Sequence, residues 1–140
     1  MKRPIVIDNS VVMSWCFEDV ASDYADSVLN ELKITSAMVP SIWPYEVVNV
    51  LLVAERQKRL KQAESVQFVT LLSQLSILVD EDSPEKSMKD VLALGRETGL
   101  SSYDAAYLEL AMRNGFPLAT LDKKLTAAAK AVDVNLFDLI

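Results

Sequence analysis

The sequence predicts an α/β fold: a three-layer α/β/α sandwich with a mostly parallel central sheet, built as one domain over residues 1–140. Three observations point that way. The apolar run Pro4-Ile5-Val6-Ile7 stops abruptly at Asp8, with Asn9 and Ser10 behind it. A short Ile/Val run bounded in this way reads as a strand buried on both faces, as in the middle of a parallel sheet. Further short apolar runs are separated by longer stretches with helical spacing, the order expected of βα units. The length of 140 residues suits a single domain around one core.

After Ser10, which is placed to cap it, a short helix carries Val11, Val12 and Trp15 at helical spacing. A second helix over 22–33 aligns Tyr24, Val28 and Leu32 on one stripe. Met38-Val39-Pro40 is a short strand candidate. Pro44 has the look of a first-turn residue, opening a helix that runs to the basic tail Glu55-Arg56-Gln57-Lys58-Arg59. That helix is apolar almost all round, so it should be buried on most sides by the sheet and by a neighbouring helix or a second subunit. Ala63 to Leu75 gives another helix, with Val66, Val69, Leu72 and Leu75 in phase. Ile77-Leu78-Val79 is either a strand or an extended linker. Ser83-Pro84-Glu85 starts a helix that Gly99 stops, and Gly95 inside it costs about 1 kcal/mol relative to alanine. Ser101 to Asp104 opens a helix ending at Gly115, Pro117 to Thr120 is a short strand, and Lys123 to Val132 a last helix. Val134 to Ile140 should close the chain as an edge strand.

Composition removes several chemistries. With no histidine, the commonest general base and zinc ligand is missing. The lone Cys16, between Trp15 and Phe17, reads as a small buried hydrophobe. Gly95, Gly99 and Gly115 stand too far apart for a phosphate loop or a dinucleotide fingerprint. A net charge of −6 argues against a broad electrostatic grip on nucleic acid. No apolar stretch approaches the roughly twenty residues needed to cross a bilayer, and the N-terminal residues do not read as a signal peptide. A cytoplasmic protein without membrane partners is the expectation.

Four acids stand where ligands bind in open α/β sheets. Asp8 and Asp122 follow strands, while Glu46 and Asp104 lie in first turns of helices. Each also has a structural explanation. Asp8 could be a cap, Glu46 a first-turn acid complementing the helix dipole, and Asp104 the partner of Ser101 in a capping box. In a parallel sheet, however, strand ends and the helix starts that follow share one edge. Four carboxylates crowded there repel unless a cation sits among them. Oxygen-only ligands point to Mg²⁺ or Mn²⁺, which commonly serve phosphodiester cleavage. Lys123 and Lys124 are either surface charges or phosphate contacts.

Ile5-Val6-Ile7-Asp8-Asn9-Ser10, Pro44-Tyr45-Glu46-Val47-Val48-Asn49-Val50-Leu51, Ser102-Tyr103-Asp104-Ala105-Ala106-Tyr107 and Thr120-Leu121-Asp122 together resemble the PIN-domain family, and within it the VapC-like ribonuclease toxins. Any one of these stretches is a weak signal, but the ordered set spans almost the whole chain. The resemblance implies a metal-dependent endoribonuclease with Asp8, Glu46, Asp104 and Asp122 as its acidic quartet and Ser10 and Thr120 as nearby hydroxyls that hold waters or a phosphate oxygen. It also implies an RNA substrate, a homodimer and neutralisation by a small antitoxin protein. Val11, Val12, Trp15, Phe17, Ile42, Trp43 and Tyr45, where exposed, would wall a groove for that partner. The rival readings are a non-catalytic interaction module on the same fold and an aspartyl phosphotransferase. The second expects an acid two residues after the strand-end aspartate, where Ser10 stands.

Overall fold

The computed structural model describes residues 2–81 and 84–138. Its elements are β1 (Ile5–Ile7), α1 (Asn9–Cys16), α2 (Asp23–Glu31), β2 (Ala37–Val39), α3 (Trp43–Arg56), α4 (Gln62–Ser73), β3 (Ile77–Val79), α5 (Pro84–Thr98), α6 (Ser102–Asn114), β4 (Leu118–Ala119) and α7 (Lys123–Ala131). The four strands form an all-parallel sheet in the order β3-β2-β1-β4. β1 is flanked on both sides and fully buried, as its unbroken Ile/Val run requires.

The strand order fixes where a site can form. From β1 the chain steps outward to β2 and then β3, after which it returns across the sheet to β4 on the far side of β1. Right-handed crossovers therefore put α1 to α4 on one face and α5 and α6 on the other. Packing follows that division: α1 lies against α2 and α3, while α5 and α6 pack on each other and α6 covers β1 and β4. The direction of winding reverses between β1 and β4, and the crevice beyond their carboxyl ends is the natural ligand site.

Ile77–Val79 is a strand, settling the alternative left open by the sequence. Gly115 ends α6 in the left-handed conformation at φ 68°, which glycine adopts without a Cβ penalty. A Cβ on Gly95 would stand 3.4 Å from the Leu100 carbonyl oxygen, so the backbone after α5 passes close over this position. The expected Ser83 start of α5 lies outside the described residues.

Several expectations are corrected. α1 is capped by Asp8, whose carboxylate accepts from Val11 N–H, and Ser10 is already inside the helix. On α4, Ser65, Phe68 and Leu72 face inward, leaving Val66, at 66% exposure, and Val69 outside. The large Phe68 sets the buried face, and a stripe through Val66 and Val69 lies to one side of it. α3 buries only Trp43, Val47, Leu51 and Ala54, so that Val48, Leu52 and Val53 stay exposed in the single chain. It also stops at Arg56, and Lys58 turns the chain with φ 61°. Val11, Val12, Phe17 and Trp43 are core rather than groove wall; Trp15 and Ile42 are half-buried and Tyr45 is exposed. Cys16 is half-buried and free. The expected last strand reduces to one parallel bridge, Leu118 to Leu136, because β4 offers only two residues to pair with; Leu139 and Ile140 lie outside the described residues.

Phe68→Ala should cost about 3–5 kcal/mol of unfolding free energy through the cavity it leaves. Val66→Ala should stay within about 0.5 kcal/mol. Urea denaturation of the two variants checks this, and comparable losses would contradict the assignment of the buried face.

Candidate active site

Parallel pairing sets Val6 against Leu118 and Ile7 against Ala119. One step further along, Asp8 comes beside Thr120. Asp8 is only 4% exposed, and both of its carboxylate oxygens are engaged. Oδ1 accepts from the Ser10 hydroxyl at 2.5 Å, and Oδ2 accepts from the Thr120 hydroxyl at 2.7 Å. Each hydroxyl in turn accepts a backbone N–H from the loop after β4: Leu121 to Ser10 at 2.9 Å and Asp122 to Thr120 at 3.0 Å. Two short relays thus tie the carboxylate to the loop that carries the next acid.

Glu46 comes from the first turn of α3, half-buried, with Tyr107 of α6 donating its hydroxyl to Oε1 at 2.5 Å. Asp104 stands in the first turn of α6, its backbone N–H bonded to the Ser101 hydroxyl at 3.2 Å. Asp122 caps α7 by accepting from Lys124 N–H at 3.0 Å. Asp8 and Asp122 are therefore caps, Glu46 is a first-turn acid and Ser101 caps the turn that holds Asp104, and none of this excludes a second role. A carboxylate that caps with one oxygen keeps acceptor capacity.

The acids act on one another through their fields. Burial pushes the Asp8 carboxyl up from 3.8 to about 6, the hydrogen bonds from Ser10, Thr120 and Val11 hold it back, and the Asp104 charge adds to the rise. Glu46 is raised mainly by burial, with Tyr107 opposing and Asp104 contributing. Asp104 is raised by burial and then by Asp122, against Lys124 and Ser101. In all three the charged form is disfavoured by burial, and a cation held close by would favour it. Asn9 Oδ1, next to Asp8 in the chain, is buried and finds no hydrogen-bond partner among the described residues. An unpaired buried oxygen beside carboxylates that disfavour their own charge is a donor set suited to a hard divalent cation. Among the described residues, no three acids stand close enough to form a ready-made cage.

Two features were not read from the sequence. Tyr107 was quoted only as part of a motif, yet its phenol, kept protonated by burial and by Glu46, orients that acid. Its place on the α6 face that also carries Asp104 was the available signal, since residues three apart share a helix face. Ser10 and Thr120 were expected to hold waters or phosphate. Their protons are instead given to Asp8. Lys124 bonds the Gly99 carbonyl at 2.8 Å, and Lys123 is exposed.

Residues 5–131 match the family model described as PIN domain. The chain is 27% identical over 121 residues to Ribonuclease VapC3 of Pyrobaculum aerophilum, covering 86% of this chain and 91% of that protein. The crystal structure of PAE2754 from Pyrobaculum aerophilum is similar with a TM-score of 0.69 and 26% identity, over 91% of this chain and 87% of that one. The crystal structure of FitAcB from Neisseria gonorrhoeae gives a TM-score of 0.65 over 96% of each chain at 17% identity, a likeness of fold.

The raised Asp8 carboxyl predicts an unusual pH dependence. Folding favours its protonated form, so its contribution to stability is complete below about pH 4 and is lost as pH rises through about 6. The loss is on the order of 3 kcal/mol, at about 1.36 kcal/mol per pH unit. In chelator, Asp8→Asn should therefore gain stability relative to the parent between pH 4 and pH 8. A difference that stays constant across that range would show that Asp8 is not a buried, strained acid.

Proposed function

The chain belongs to the PIN domain family, and from that premise we propose that it is a divalent-metal-dependent endoribonuclease, the toxin of a toxin–antitoxin pair. The observation that carries this reading is Asp8: a buried carboxylate at the sheet's switch point, fixed by two hydroxyls, with no Lys or Arg paired to it among the described residues. The likeness to Ribonuclease VapC3 over most of both chains supports the same activity.

In this reading Asp8 and Asp104 would be the principal ligands, Glu46 would bind directly or through water, and Asp122 would serve a second metal or act through water. Bound Mg²⁺ or Mn²⁺ supplies the positive charge that makes water nucleophilic and neutralises charge developing on the phosphate. The protein's part is to hold the oxygens still. Ser10 and Thr120 fix the plane of the Asp8 carboxylate, and Tyr107 occupies one oxygen of Glu46, leaving acceptor capacity on the other. Lys123 and Lys124 stand after Asp122, where a phosphate oxygen can reach them. None of the described helices is long and apolar enough to cross a membrane.

The partners proposed are RNA as substrate, a small antitoxin and a second copy of the chain. The exposed apolar residues Val48, Leu52 and Val53 on α3 support a covered face in the assembled protein. The aspartyl phosphotransferase reading has no support in the geometry, since Ser10 spends its proton on Asp8.

The purified protein should cleave single-stranded RNA with Mg²⁺ or Mn²⁺, and Asp8→Asn or Asp104→Asn should abolish cleavage. Undiminished cleavage in excess chelator would refute the proposal. Without substrate, Mn²⁺ at about a hundred times its dissociation constant should stabilise the parent by roughly 2.7 kcal/mol. That corresponds to about 2–4 °C of melting temperature per kcal/mol in a domain of this size. Asp104→Asn should melt above the parent in chelator yet gain much less from Mn²⁺, while the exposed Asp90→Asn should match the parent in both. An Asp104→Asn variant that melts lower in chelator and keeps the full Mn²⁺ gain would make Asp104 a structural residue only.

A further inference from the structure

Beside the acids lies a cleft of about 360 Å³ between the starts of α1, α3 and α6, within the size range of small-molecule pockets. Glu46 lines it, so the cleft opens onto the carboxylate site. Two aromatic side chains also line it from different elements: Tyr45, 74% exposed on α3, and Tyr103, 55% exposed on α6. Asn49 adds an exposed amide one helical turn after Glu46. Both phenol rings are more exposed than buried in the single chain. They offer flat faces on which unpaired bases stack whatever their identity, and Asn49 offers both a donor and an acceptor to a base edge.

The charge of the chain favours such a surface. Proteins that hold single strands ordinarily combine a basic groove with aromatic platforms. This chain carries a net charge of −6, and Lys124, whose charge acts on Asp104, already gives a hydrogen bond to the Gly99 carbonyl. Phosphate contacts can supply little of the grip, and the bases must supply more of it. We propose that this cleft is a subsite for an unpaired nucleobase next to the scissile phosphate, with Tyr45 and Tyr103 as stacking faces and Asn49 as the contact to the base edge. The proposal rests on the ribonuclease reading and deepens it. It also locates selectivity in residues separate from the acids.

The test uses a fluorescently labelled single-stranded RNA and the full chain carrying Asp8→Asn, so that the RNA stays intact while its binding is measured by anisotropy. In that background Tyr45→Ala and Tyr103→Ala should each weaken binding about tenfold, and Phe at the same positions should restore it. An abasic residue walked along the RNA should cost a similar factor at one position, and nothing further there once Tyr45 is alanine. In the otherwise unaltered protein, both Ala variants should keep the parent's Mn²⁺-induced rise in melting temperature. Ala variants that bind RNA like their background, or Phe variants as weak as Ala, would overturn the subsite. The two levels of the proposal fail differently: a parent that does not cut RNA with Mn²⁺ refutes the nuclease reading, whereas a parent that cuts, with Tyr variants that bind unchanged, refutes the subsite alone.

Discussion

The hydrogen bonds that Thr120 gives to Asp8 and that Leu121 N–H gives to Ser10, itself bonded to Asp8, hold together parts of the chain that are over a hundred residues apart. They exist because β1 and β4 pair in parallel with a register that brings Thr120 beside Asp8. Through them one carboxylate caps α1, fixes the exit of β4 and orders the backbone of Leu121 and Asp122 ahead of α7. Leaving a buried polar group of this kind unpaired costs about 1–3 kcal/mol. A slip of one residue between the strands would therefore cost several such bonds as well as sheet pairing. The register that builds the sheet is the register that builds the site.

That network restrains the acid without neutralising it. Hydrogen bonds from Ser10, Thr120 and Val11 favour the charged form of Asp8, yet burial outweighs them and the carboxyl rises to about 6. Glu46 and Asp104 are raised for the same first reason, and each also feels another acid. A protein under selection for stability alone would replace such acids or pair each with a cation. Arg113 shows that the chain builds such pairs, bonding Asp80, which follows β3, at 2.7 Å and Glu109 at 2.8 Å. Keeping the acids of the crevice unneutralised is the local strain expected of a binding site.

How much of this was legible in the sequence depended on what kind of information each feature needs. Burial of β1 on both faces could be read from Ile5-Val6-Ile7 alone, and the placement of Asp8, Glu46 and Asp122 followed from strand ends and first helical turns. The α4 face was misread because six apolar residues lie from 66 to 75 and a short helix allows more than one stripe; only the tertiary setting of Phe68 decides. The C-terminal strand was misread because pairing needs a partner of matching length, and β4 has two residues. Long-range hydrogen bonds such as Tyr107 to Glu46 depend on helix orientation across the sheet: the face Tyr107 shares with Asp104 points to the residue, but not to its partner. The same holds for the cleft: Tyr45 and Tyr103 are 58 positions apart and meet only because α3 and α6 start at one edge.

The central claim is that Asp8 is the anchor of a divalent-cation site, and anomalous scattering from crystals grown with Mn²⁺ tests it most directly. The account predicts an anomalous peak in the crevice beyond β1 and β4, bonded to carboxylate oxygens of Asp8 and Asp104 at about 2.0–2.2 Å, the range for a small hard cation. Mn²⁺ bound elsewhere on the molecule, with Asp8 still held only by Ser10, Thr120 and Val11, would contradict it.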